Sequence, residues 1–360
     1  MTRAIRVVAV EVTALSVPLV DPFVIASGRV ETTRSALVRV RLGTGEEGIG
    51  EGAALPPVTR EDQADVIADV ERARDALMHA TRAEEIASLP IGPVARAAIE
   101  TALLDAIARR EGVAVRTLLG GARAVSAITS DITIPILDAA RMAELARQWR
   151  ARGFACFKVK VGKDLDADLR ALEAVKRAAP DATFRIDANA GFSAAEAIAM
   201  ARATEKLGLS VECWEQPCAA RDLDAMAEVS RAVREPVVAD ESVATLDDFD
   251  RVVRAGAATG INLKLVKSGG PLAAYALGLA AQRAGMKLMC GGMVETRLGM
   301  TAAAHVAAAL GGVDFVDLDT AWLLREDPFE GGYVADGAKY TLRDAAGLDV
   351  RGPSALRASG

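Results

Sequence analysis

Between residues 3 and 55 apolar residues recur at every second position: Ile5, Val7 and Ala9, then Ala36, Val38 and Val40, with Ile49 after the turn Gly43-Thr44-Gly45. That period puts alternate side chains on one face of antiparallel strands. The period then lengthens. Segments 60–80 and 93–111 read as helices, the second with Ala98, Ala102 and Ala106 on one side and a stop at Gly112.

From about residue 126 short apolar runs alternate with helical stretches. The runs cover 128–136, 154–161, 183–187, 211–215, 237–240, 261–265, 287–290 and 315–318. Eight such strands, separated by helices such as 167–178 and 272–284, predict a parallel sheet closed into a TIM-type barrel. Pro328, Gly331 and Gly332 follow the last strand in place of a helix. The expected fold is therefore α/β, a modified TIM barrel (β/α)7β over 126–325, with an N-terminal α+β capping domain over 1–125. The tail, 326–360, is expected to return to the capping domain and complete it.

Composition narrows the partners. Lys and Arg number 43 against 49 Asp and Glu, a net charge of −6 with no basic cluster, so neither nucleic acid nor an anionic membrane is expected as a partner. The longest uncharged run, 298–313, has 16 residues, which is short for a bilayer span and suits a buried helix. Charges recur from Arg3 onward where a signal peptide would be apolar, so the expected location is the cytoplasm. Cys156, Cys213, Cys218 and Cys290 show no CxxC spacing and read as buried free thiols. His79 and His305 are the only histidines and neither has a metal-ligand neighbour. Zinc hydrolysis and Ser-His-Asp chemistry are thereby disfavoured, which leaves lysines and carboxylates.

Barrels of this kind carry their chemistry at the C-terminal strand ends. Those ends hold Lys158 and Lys160, Asp187, Glu215, Asp240, Lys264, and finally Asp317 and Asp319. From Lys160 to Lys264 the successive gaps are 27, 28, 25 and 24 residues, one βα unit each, so the charges recur at one height around the ring. In 157–161 both lysines share the face opposite Phe157, Val159 and Val161, and such inward charges are tolerated only when paired or metal-bound. Asp187, Glu215 and Asp240 make an oxygen-rich site without His or Cys, suited to Mg²⁺ or Mn²⁺. Lys160 and Lys264 flank it from the second and sixth strands, a layout for proton transfer on either face of a carbon placed between them. One lysine must be neutral to act as base, with a pKa brought from about 10.4 to roughly 7–8, and Lys158 is a neighbouring cation able to lower it.

Lys158-Val159-Lys160, Asp187-Ala188-Asn189, Glu215-Gln216-Pro217, Ala239-Asp240-Glu241-Ser242 and Asn262-Leu263-Lys264 together resemble the muconate-lactonizing subgroup of the enolase superfamily, over nearly the whole chain. That superfamily is a standard example of a lysine base working with Mg²⁺ on an ene-diolate. The resemblance implies that Asp187, Glu215 and Asp240 bind the metal and that Lys160 and Lys264 are the paired acid/base catalysts. It gives Lys158 the substrate carboxylate and the tuning of Lys160.

Within the subgroup, Asp317-Leu318-Asp319 is similar to the DxD signature with which dipeptide epimerases hold the substrate's α-ammonium; two acids there favour a cation over a succinyl or muconate carboxylate. The run 291–296 resembles the epimerase loop after strand seven, so Gly292 and Val294, together with Thr133, would line the dipeptide. The expectation is an isomerase, a dipeptide epimerase inverting the C-terminal residue, with L-Ala-D/L-Glu as the specific substrate if Arg29 or Arg34 supplies a cation for the glutamate side chain. N-succinylamino acid racemase, o-succinylbenzoate synthase and muconate cycloisomerase are the alternatives within the subgroup. A Schiff-base lyase and a binding protein without turnover are alternatives outside it. The family often forms homo-oligomers.

Overall fold

The computed structural model describes residues 5–25, 28–56, 58–80 and 82–352. Val7–Leu15, Arg34–Leu42 and Glu47–Ala54 form a three-stranded antiparallel sheet in chain order, with Val10 opposite Val40 and Val38 opposite Gly50. A second hairpin joins Pro18–Ile25 to Gly28–Thr32, pairing Phe23 with Val30. Two helices cover the larger sheet. Gln63–His79 is opened by an Asp62/Asp65 capping box, and Pro93–Arg110 starts at Gly92-Pro93, a proline in the first turn losing no helical bond.

The second helix lies almost on the backbone of Glu47–Ala54. A methyl group at Gly48 would stand 2.0 Å from the Ala102 carbonyl oxygen, and one at Gly50 would stand 2.1 Å from that of Ala98. Glycine is required there for close approach. The opposite face of the strand presents Glu51 to the barrel. Its carboxylate accepts hydrogen bonds from the Thr296 and Gly299 amides, both 3.1 Å, and from Ser35 Oγ at 2.7 Å. Thr296 caps the helix Arg297–Leu310, so an acid of the capping sheet sits at the positive end of a barrel helix.

Eight parallel strands form the barrel sheet in chain order: Ile132–Ile134, Cys156–Lys160, Thr183–Asp187, Ser210–Glu215, Val237–Ala239, Gly260–Leu263, Lys287–Gly291 and Phe315–Asp317. The Asp131 amide donates to the Val316 carbonyl at 3.0 Å and the Leu318 amide to Ser130 Oγ at 2.9 Å, drawing the last strand to the first. Each successive pair is bridged by a helix, from Ala139–Ala151 to Arg297–Leu310, giving the expected (β/α)7β arrangement.

The expected first strand, 128–136, is two. Ala127–Thr129 pairs antiparallel with Lys339–Leu342, and only Ile132–Ile134 enters the barrel. The switch occurs at Ser130-Asp131, whose amides turn to Ala338 and Val316. Ile128 and Ile132–Ile134 are buried on either side of Thr129-Ser130-Asp131, where the switch lies.

The tail packs on both units: its hairpin extends Ala127–Thr129, while Gly347 accepts from the Val115 amide and the Leu348 amide donates to Asp105. No helix among the described residues is long and apolar enough to cross a membrane.

Candidate active site

The strand alternation delivers the sequence-predicted charges to one end of the barrel, and all are nearly sequestered from solvent. Asp187 and Glu215 are 0% exposed, Asp240 1%, Lys158 1%, and Lys160 and Lys264 5% each. Lys160 Nζ is 2.6 Å from Asp187 Oδ2, and Lys264 Nζ is 2.7 Å from Asp240 Oδ2. Lys158 Nζ sits among three acids: Asp317 at 2.6 Å, Glu215 at 2.7 Å and Asp187 at 3.1 Å. Asn262 Nδ2 donates to Glu215 Oε1 at 2.7 Å. Lys267, which no sequence pattern singles out, donates to Asp240 Oδ1 at 2.6 Å.

The electrostatics follow from these pairings. Burial works to raise Asp187, but Lys160 and then Lys158 outweigh it and hold the carboxyl at about 2. Asp240 is held well below the usual carboxylate range by Lys264 and Lys267, against its burial. Glu215 goes the other way, raised by burial and by the charge of Asp187. Burial would lower Lys158 and Lys264, yet the carboxylates win: Asp317 and Glu215 keep Lys158 high, and Asp240 does the same for Lys264. Lys158 is therefore engaged by carboxylates rather than standing free as the neighbouring cation of Lys160. Asp317, expected as a pocket acid, is committed to Lys158.

The backbone at this rim is strained. Asn189, Ala190 and Gln216 have φ of 42°, 63° and 35°, immediately after Asp187 and Glu215. Non-glycine residues there persist only where surroundings fix them. Gln216 is fixed: its Oε1 accepts from the Asp240 and Ser242 amides at 2.9 and 3.1 Å, and its Nε2 donates to Ser242 Oγ and the Cys218 carbonyl. This side chain ties the fourth strand end to the fifth and so sets the spacing of Glu215 and Asp240.

Asp187, Glu215 and Asp240 are a donor set for a hard divalent cation. Two further buried oxygens nearby, Asn189 Oδ1 and Glu241 Oε2, lack a hydrogen-bond partner among the described residues. Glu241, raised to about 7 by burial and then by Asp240 and Asp187, adds to the excess of acid. The residues thus fit a cation of the Mg²⁺ class. If they hold it, Mg²⁺ added to chelator-treated protein should raise Tm by about 3 °C or more at saturation, and Glu215→Gln should erase the rise in a thermal-shift assay. An unchanged Tm would dismiss the site.

A tighter acidic group, Asp131, Asp317 and Asp319, brings one oxygen each within 4.8 Å of the others. Each of its acids already has a partner, although Asp131 Oδ1 has none among the described residues. Asp131 takes Arg185 at 2.8 Å, Asp317 takes Lys158, and Asp319 accepts the Thr133 amide. Burial and then the charge of Asp317 push Asp319 up to about 6.

A cleft of about 440 Å³, the open solvent at its mouth included, lies above these groups. Thr133, Lys158, Lys160, Lys264, Asp317 and Asp319 line it, and Gly292 and Val294 add the loop after strand seven. Asp187, Glu215 and Asp240 lie outside its walls and are reached through their lysines. Arg29 and Arg34 do not line it; they border a separate cleft, where Arg29 pairs with Glu31 at 2.7 Å. Of the thiols, Cys213, Cys218 and Cys290 are buried, Cys156 is half-buried, and all four are free. His305 is buried, accepts the Arg116 amide at 3.0 Å, and is pushed down to about 3 by burial, a structural residue as its isolation suggested.

Residues 141–351 match the family described as enolase C-terminal domain-like, and residues 7–120 match the mandelate racemase / muconate lactonizing enzyme N-terminal domain. An L-Ala-D/L-amino acid epimerase of Populus trichocarpa is 38% identical over 359 residues, 96% of this chain and 85% of that protein. A substrate-liganded L-Ala-D/L-Glu epimerase from Bacillus subtilis superposes with a TM-score of 0.92 at 31% identity, covering 96% of this chain and 99% of that one. A dipeptide epimerase from Enterococcus faecalis V583, complexed with Mg and L-Leu-L-Tyr, gives a TM-score of 0.90 at 31% identity, with coverage of 96% and 99%.

Proposed function

The chain belongs to the mandelate racemase / muconate lactonizing enzyme family of the enolase superfamily and is an isomerase, and from that premise we propose that it epimerises dipeptides at the α-carbon of the C-terminal residue. The observation that carries this reading is the pair Lys160 and Lys264, brought from the second and sixth strands to one cavity whose far wall is Asp317 and Asp319. The named activities of the Populus and Bacillus relatives support it.

Asp187, Glu215 and Asp240 would hold Mg²⁺, the metal of the Enterococcus complex, which would supply charge withdrawal from the substrate carboxylate and so a more acidic adjacent α-proton. The chain's own residues do the rest. Lys160 and Lys264 stand on opposite sides of the α-carbon. The neutral lysine on one face removes the proton, and the ammonium on the other face returns one, inverting the centre. Lys158 offsets part of the charge of Glu215, Asp187 and Asp317 from within the ring and so lessens their repulsion of an arriving carboxylate. Asp319 receives the α-ammonium: it is buried, raised by Asp317, and gains a favourable partner when a cation arrives.

The test is proton NMR in D₂O with Mg²⁺-loaded protein and L-Ala-L-Xaa dipeptides. Loss of the C-terminal α-proton, stopped by EDTA, is expected; no exchange in any dipeptide would reject the reading. Asp319→Asn should raise KM for dipeptides by about tenfold to a hundredfold, the value of one charged hydrogen bond, with kcat little changed. An N-succinylamino acid racemase would instead tolerate or welcome the loss of that charge. L-Ala-Xaa dipeptides, the class named for the Populus and Bacillus relatives, are the substrates proposed, and with glutamate as Xaa the γ-carboxylate would need a cation.

A further inference from the structure

The walls of the cavity are divided by chemistry. Every charged group that lines it belongs to the barrel, while the residues contributed by the capping unit are Phe23, Leu55 and Val58. Lys160 Nζ lies 5.9 Å from the centre of the Phe23 ring, so the apolar wall begins beside a proton-transfer group. With the carboxylate placed toward the triad and the ammonium toward Asp319, the capping wall is left for the side chain of the inverted residue, and that wall is carbon.

No arginine is among the described residues lining this cavity. Arg29 and Arg34 border the neighbouring cleft, and Leu55 and Val294 line both spaces, forming the partition between them. Arg29 is also held by Glu31 through two hydrogen bonds, 2.7 and 3.0 Å. A glutamate side chain would have to pass the Leu55–Val294 partition or be buried against it unpaired, and burying an unpaired carboxylate is unfavourable.

The wall is also fixed. The Leu55 amide donates to Thr59 Oγ1 at 2.7 Å, and the Thr59 amide returns a bond to the Leu55 carbonyl at 3.0 Å. The hairpin carrying Phe23 is tied to the barrel where the Ile136 amide donates to the Val24 carbonyl at 3.1 Å.

We infer that the residue inverted carries an uncharged, apolar side chain, selected by Phe23, Leu55 and Val58. This inference rests on the dipeptide reading and revises its glutamate version. The experiment compares kcat/KM for L-Ala-L-Leu, L-Ala-L-Met and L-Ala-L-Phe with that for L-Ala-L-Glu on the Mg²⁺-loaded enzyme, followed by α-proton exchange. The best apolar substrate should exceed L-Ala-L-Glu by about tenfold or more. Leu55→Arg should narrow or reverse that ratio; if its circular dichroism shows it unfolded, Val58→Arg makes the same test. L-Ala-L-Glu turned over as well as or better than the apolar dipeptides would overturn the inference while leaving the epimerase reading intact. Exchange in no dipeptide would overturn both.

Discussion

Lys160→Ala and Lys264→Ala should each lower epimerisation by about three orders of magnitude, the middle of the range for a positioned acid or base. The geometry predicts more than loss. Each lysine serves one face, so each variant keeps a base for one epimer and lacks the acid that would complete its inversion. In D₂O the variant retaining Lys264 should exchange the α-proton of one epimer slowly without inverting it, and the variant retaining Lys160 should do so for the other. A one-base mechanism would give the same outcome for both epimers in both variants. Either variant inverting at the parent rate would refute the assignment. The fold should persist, because each alanine removes one ion pair from a ring in which Lys158 still contacts Asp187, Glu215 and Asp317.

Arg185→Met is the largest expected loss of stability. Arg185 is 6% exposed and donates to Asp131 and the Val316 carbonyl at 2.8 Å each and to Glu212 at 2.9 Å. It thereby links the third strand to the fourth, to the eighth, and to the residue preceding the first. Without it Asp131 is a buried acid beside Asp317 and Asp319, with only Lys158, already shared among three other acids, as a nearby cation. Breaking one side of a buried pair costs about 3–5 kcal/mol, on the order of 5 °C in Tm for a chain of this size. Arg185→Met combined with Asp131→Asn should recover much of the loss, since it removes the stranded charge as well. A single variant as stable as the parent would show that Asp131 is neutral or rearranges.

Arg185 also shows how the sequence could be read further. Strand parity identified Asp187 as inward-facing, and the same parity places Arg185 inward two residues earlier; the signal was present but drew attention only at the strand end. The acids at 187, 215 and 240 were legible because one βα unit separates each from the next. The lysines were legible because they alternate with large apolar residues. Lys267 was not, since it reaches Asp240 from the turn after the sixth strand, where no period constrains direction. Glu51 was hidden for a different reason: its partners, Thr296 and Gly299, lie some 245 residues away, and only tertiary packing joins them. The division of 128–136 into two strands is marked by Thr129-Ser130-Asp131, but Ser130 and Asp131 are buried rather than exposed as in an ordinary turn, so the three polar residues read as part of one run. Arg29 and Arg34 were near the substrate in sequence terms, yet the Leu55–Val294 partition separates them from it.

The glycines at 48 and 50 have a consequence for how such a protein can be altered. They let the helix Pro93–Arg110 rest on bare backbone, so any side chain there would lift the whole capping sheet, Glu51 included, off the barrel. Phe23, Leu55 and Val58 belong to segments that flank this clamp and take no part in it. Inheritance is thereby partitioned: the clamp is a position where mutation is punished whatever the substrate, and the three wall residues, Phe23 and Leu55 buried among them, are positions where mutation is felt by the substrate as well as by packing. A gene copy free to drift would be expected to explore new peptides through those three codons first.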